Sequence, residues 1–104
     1  MLEFNGGEIY YTRSVTEADV RKLGDYLVKQ GVFDGTTRAM QLNKTGSTFE
    51  VRVIVKKGTE NNAALTDFFK ALGKDLRDNV FKGSTVVVHV CDEKFTTLRV
   101  ISIP

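Results

Sequence analysis

The residue types best suited to chemistry in this chain are His89 and Cys91, two apart in the run Thr85–Cys91. On an extended strand that spacing puts both on one face, about 7 Å apart between Cα atoms. A Cys–His pair works as nucleophile and base only if ring and thiol share a hydrogen bond and a third group orients the ring. Asp92 follows directly, but on a strand it would face away from Cys91. As metal ligands the pair supplies two of the four a zinc site needs, so a symmetric dimer would have to complete it. The residues themselves therefore imply no metal and no cofactor. They fit partly buried strand positions better than a catalytic pair.

Other chemical signatures are missing from the sequence. It has no Gly-x-Gly-x-x-Gly, no phosphate-binding Gly-x-x-x-x-Gly-Lys-Ser/Thr and no Gly-x-Ser-x-Gly elbow. Asn5-Gly6-Gly7 precedes a strand and opens no helix, so it cannot cradle a phosphate. Asp92-Glu93 reads as a solvated turn former. The strand Thr48–Val55 lacks the aromatic run of an RNA-recognition motif, and no aromatic partner is expected for Tyr10 or Tyr11 on an open sheet face. Nucleic-acid binding is thus a minor alternative. Net charge is +2, too small to steer the chain toward nucleic acid or an anionic membrane.

Elements that position these residues follow from periodicity. Glu8–Thr12 is a short β-prone run. A capping box, Ser14 with Glu17 or Thr16 with Asp19, opens an amphipathic helix with Val20, Leu23, Leu27 and Gly31 on one stripe. Thr37–Asn43 and Thr48–Lys56 read as a hairpin, with Val51, Val53 and Val55 alternating against polar neighbours. A second helix carries the stripe Leu65, Phe68, Phe69, Leu72, Leu76. Thr85–Cys91 and Phe95–Ile103 form a last hairpin. Leu23-Gly24 and Val32-Phe33-Asp34-Gly35 match Leu72-Gly73 and Val80-Phe81-Lys82-Gly83, which implies an internal αββ repeat over 16–56 and 62–103. Gly24 and Gly73, mid-helix, imply close approach of the helix to the sheet or to the other helix.

The expected fold is a single α+β domain over 1–104. It is a two-layer sandwich in β-αββ-αββ order, a mostly antiparallel five-stranded sheet with two helices on one face, ferredoxin-like or a related plait. With 104 residues, one cysteine and no apolar run near ~20 residues, disulfide scaffolds and membrane spans are excluded. No leader pattern is visible, so a cytoplasmic setting is expected.

Alternation places Ala39, Gln41, Arg52, Ile54, Val87, His89, Cys91, Arg99 and Ile101 on the sheet face away from the helices. Ile54, Val87 and Ile101 would give that face an apolar centre flanked by arginines, as interfaces often have. The chain accordingly reads as a non-catalytic interaction or self-association module, a homodimer or binder of a protein partner. Ala39, Gln41, Arg52, Ile54, Val87, His89, Arg99 and Ile101 are its interface candidates. The alternatives are a small-molecule-binding protein or enzyme using His89 and Cys91, and a weak single-stranded RNA binder.

Overall fold

The computed structural model describes residues 1–103. The chain begins with a hairpin, β1 (Leu2–Phe4) and β2 (Gly7–Tyr11), followed by α1 (Glu17–Lys29). A second hairpin, β3 (Arg38–Thr45) and β4 (Thr48–Ile54), leads to α2 (Ala63–Asn79). The last hairpin is β5 (Thr85–Cys91) and β6 (Thr97–Ser102). The sheet has six strands, not five. The added strand is β1, three residues long and without a resolvable period. The Asn5-Gly6 signal is its hairpin turn, with φ of 48° and 87° at the two central positions.

Strand order is sequential, β1-β2-β3-β4-β5-β6, with β2–β3 and β4–β5 parallel and the three hairpins antiparallel. The mixed sheet replaces the expected ferredoxin-like order. A ferredoxin-like plan needs strands to interleave between repeats, whereas here each strand pairs with its neighbour in sequence.

Both helices lie on one face. A Cβ at Gly24 of α1 would run into the Phe4 ring, and one at Gly73 of α2 into Ile103 and, at 3.4 Å, Val88. Phe4, opposite Gly7, and Val88, opposite Val51, share a single sheet face through the register. The mid-helix glycines thus admit side chains of the sheet, as their sequence position implied. Both crossovers step the same way along the sheet, yet β4 runs opposite to β2. The two crossovers therefore have opposite hands, and one is the left-handed kind that twisted strands disfavour.

Local signals set the helix ends. Thr16 caps α1: its hydroxyl accepts from Asp19 N at 3.1 Å, and the Asp19 carboxylate accepts from Thr16 N at 3.3 Å. Gly31, at φ 77°, ends it. Asn62 caps α2 by accepting from Leu65 N at 3.1 Å. Ile9, Leu42, Val51 and Val88 from the sheet meet Val20, Leu23, Leu27 and Leu76 from the helices in one core. Phe68 is the exception to the α2 stripe, 51% exposed where its spacing implied burial.

The candidate face is misread at one strand. Between β5 and β6 the register runs Val90↔Arg99 and Cys91↔Thr97, so Leu98 is an extra, bulged residue. One inserted residue turns the rest of β6 over. Ile101 consequently sits opposite Val88 in the core, 3% exposed, and Arg99 faces α2. Val100, which unbroken alternation with Arg99 and Ile101 would put in the core, lies on the open face at 50% exposure.

Candidate functional site

The open face has a polar centre. Arg52 on β4 stands beside His89 on β5, and Gln41 on β3 completes the row. Through Nη2 the Arg52 guanidinium donates to Phe95 O at 2.6 Å and Thr97 Oγ1 at 2.8 Å. Through Nη1 it binds the Glu50 carboxylate and approaches His89 Nδ1 at 3.4 Å. Thr97 Oγ1 is 3.0 Å from the same ring nitrogen, and Glu50 Oε2 is 3.8 Å from Nε2.

What Arg52 holds is the β5–β6 turn. Asp92 Oδ1 accepts from Lys94 N at 2.9 Å and Thr96 N at 3.0 Å, which draws Asp92–Thr96 into a tight turn and holds the Asp92 carboxyl below its ordinary range. Asp92-Glu93 is therefore a turn former, as its composition implied. Phe95 takes φ 61°, an unfavourable conformation for a residue with a bulky side chain. In return its ring reaches Tyr10 on β2, edge to face at 6.1 Å. The expectation that no aromatic meets Tyr10 on this face does not hold. The turn folds back over the sheet and supplies one from a distant part of the sequence.

Burial and this turn set the protonation state of the cluster. Burial, reinforced by the Arg52 charge and opposed by Glu50, puts the His89 pKa below its ordinary 6.5. The neutral ring then accepts at Nδ1, facing the Arg52 and Thr97 donors, and carries its proton at Nε2, toward Glu50. A base whose pKa is lower in the folded state binds fewer protons there than in the unfolded chain. Stability should therefore decline as pH falls below about 6.5. Thermal melts of His89→Gln should lack the part of that decline due to the ring. An unchanged slope would mean that folding leaves the ring's proton affinity as it is in the unfolded chain.

Cys91 points to the same face, as its spacing from His89 implied, but is fully buried. Its thiol donates to His89 O at 3.5 Å, and burial pushes its pKa up. Among the described residues no hydrogen bond joins it to the His89 ring. The arrangement holds a buried thiol of raised pKa beside an imidazole whose Nδ1 faces Arg52 and Thr97.

Around the polar centre lie the exposed apolar groups Tyr10, Ile54 and Val100. Ala39, Gln41 and Val87 are half-buried between them. Of the interface candidates, Ala39, Gln41, Arg52, Ile54, Val87 and His89 share this face, and Arg99 and Ile101 do not. The sequence reading missed Glu50, Phe95, Thr97 and Val100. For Glu50 a signal existed: it stands two residues from Arg52 with opposite charge, hence on the same face of a strand.

On the helix side a concavity lies at each end of the groove between the helices. Because α1 packs on β1 and β2 and α2 on β5 and β6, the β3–β4 hairpin lies under the seam between helices. An apolar cleft of about 630 Å3 opens at the end of that seam where α1 finishes and α2 begins. Among the described residues no helix is long and apolar enough to cross a membrane, and Cys91 is free of any disulfide.

No curated protein and no solved structure matches the chain. One family model, AF_1994_N, described as a family N-terminal domain, matches residues 1–102. With nearly its whole length aligned to that model, the chain belongs to the AF_1994_N family.

Proposed function

We propose that this domain is a non-catalytic self-association module that pairs two copies through the outer edge of β6. The observation that carries this reading is the state of that edge. Strand β6 ends the sheet with six residues, twice the length of β1 at the opposite edge. Edge strands are ordinarily protected by outward charge, proline, shortness, a bulge or a covering element, and the bulge at Leu98 lies near the start of β6, leaving Arg99–Ser102 regular. The single charge in β6 is Arg99, and its guanidinium is spent inward, 2.7 Å from Thr66 Oγ1 and 3.3 Å from Glu60 O. Beside the edge, Val100 offers an apolar side chain to the open face.

A second copy suits this edge because an antiparallel β6–β6 pairing is self-complementary about a twofold axis. Val100, near the middle of the strand, then lies close to its counterpart. Tyr10 and Ile54 extend the apolar rim of the same face. The family description, an N-terminal domain, fits a unit whose pairing would bring attached partners together. A free, buried thiol is at home in a reducing cytoplasm.

The enzyme reading using His89 and Cys91 draws no support from a buried thiol with a raised pKa. The RNA reading fares no better, because Glu3, Glu8 and Glu50 share the open face while its arginine is already engaged.

Native mass spectrometry tests the proposal. The wild-type protein should appear as a dimer at roughly 100 µM or below. Val100→Asp, which sets two carboxylates near the axis, should give a folded monomer by circular dichroism. A wild-type protein that is monomeric at that concentration would overturn it.

A further inference from the structure

We infer that the apolar cleft at the α1–α2 seam is a binding site for a small anionic amphiphile, an acyl chain or comparable apolar body ending in one carboxylate or phosphate. The reading is independent of self-association, because the cleft lies on the helix side of the sheet and β6 contributes nothing to it.

Its floor is Met40 and Val53, neighbours across β3 and β4. One wall is the Val32-Phe33 segment that follows α1, and the other is Leu65, Phe69 and Leu72 of α2. At about 630 Å3 the space falls within the range of small-ligand sites. Phe68 stands at its rim, half exposed despite lying on the apolar stripe of its helix. A large aromatic left in water beside an apolar hollow is a surface that a ligand would cover.

Charge fixes the kind of ligand. Among the described residues the charged side chains lining the cleft are Arg38 and Lys56, both cationic and exposed. Helix α2 starts at this same end, so its positive pole adds to them, and its first turn carries no acid, unlike that of α1 with Glu17 and Asp19. Of the acids closest in sequence, Asp34 feels the Arg38 charge, yet it and Glu60 are each held within their own turns. Asp34 Oδ1 accepts from Thr36 N at 3.1 Å, and Glu60 Oε2 from Gly58 N at 2.8 Å. The other end of the seam differs: there Asp19 and Asp25 stand among Lys22, Lys29, Lys44 and Lys82, so carboxylates line it beside the cations. Apolar walls under a cationic mouth match an apolar tail with an anionic head.

Decanoate is a direct probe. The chain has no tryptophan, so Phe68→Trp introduces a single reporter at an exposed position that carries little folding load. Its emission should shift to the blue on adding decanoate, with saturation at or below about 1 mM. Calorimetry on the unlabelled wild-type protein should give the same affinity. Arg38→Glu with Lys56→Glu, both at exposed sites, should weaken decanoate about tenfold while leaving decanol unchanged. Leu65→Trp should fill the cleft and remove binding of both. No binding by either readout at about 1 mM would overturn the inference. So would decanol binding as tightly as decanoate, or Leu65→Trp binding decanoate like wild type.

Discussion

Replacing Arg52 with methionine is expected to lower the melting temperature by roughly 10–25 °C, corresponding to about 2–4 kcal/mol for a domain of this size. The side chain is only 15% exposed, and its loss strips several groups at once. Phe95 O and Thr97 Oγ1 lose their donor, and the Glu50 carboxylate, itself little exposed, loses its cation. An acceptor or charge left in such surroundings pays its full desolvation cost. The turn over the sheet also loses its tether, and with it the contact that offsets the left-handed Phe95 backbone. Lysine should not rescue the site, since a point charge cannot replace the forked donor that reaches both oxygens. Adding Glu50→Gln to Arg52→Met should restore part of the loss by removing the stranded charge. Differential scanning calorimetry of the three variants decides the matter, and an Arg52→Met midpoint within about 3 °C of wild type would refute this account.

A second large effect separates two adjacent residues of β6. Ile101→Asp should unfold the domain or cost more than about 4 kcal/mol, because the carboxylate would enter the core opposite Val88. Val100→Asp, at a half-exposed position, should change the stability of the single copy by less than about 1 kcal/mol, read at protein concentrations too low for pairing. Urea unfolding of the two variants measures this directly. The order would invert if β6 kept unbroken alternation with β5, so the pair tests the bulge at Leu98 as much as either residue. An Ile101→Asp protein as stable as wild type would place that side chain on the open face.

That bulge shows where sequence reading reached its limit. Alternation assigned β3, β4 and β5 to their faces correctly, because each runs without interruption and a period of two propagates along it. Thus Ala39, Gln41, Arg52, Ile54, Val87, His89 and Cys91 were placed together. In β6 the residues Thr97-Leu98-Arg99-Val100-Ile101 offer apolar groups at both parities, and nothing local says which residue is the extra one. Only pairing with β5 decides that. Phe68 failed for a different reason. Its spacing puts it at the border of the α2 stripe, and whether a border position is covered depends on how far away the neighbouring helix lies.

The sequence by itself determined the two helices, the first narrowed to one of two capping boxes, the hairpins that follow them, the shared sheet face of His89 and Cys91, and the absence of nucleotide-binding motifs. These rest on short-range physics: capping, left-handed glycines and the periods of 3.6 and 2. Tertiary structure alone decided the sequential strand order, the opposite hands of the two crossovers, the turned face of β6 and the return of Phe95 to Tyr10. Each of these depends on which distant segments meet, and a backbone's local preferences are the same whichever partner it finds. The polar cluster under the Asp92–Thr96 turn and the cleft at the α1–α2 seam both arise from such meetings, which is why no run of residues announces either.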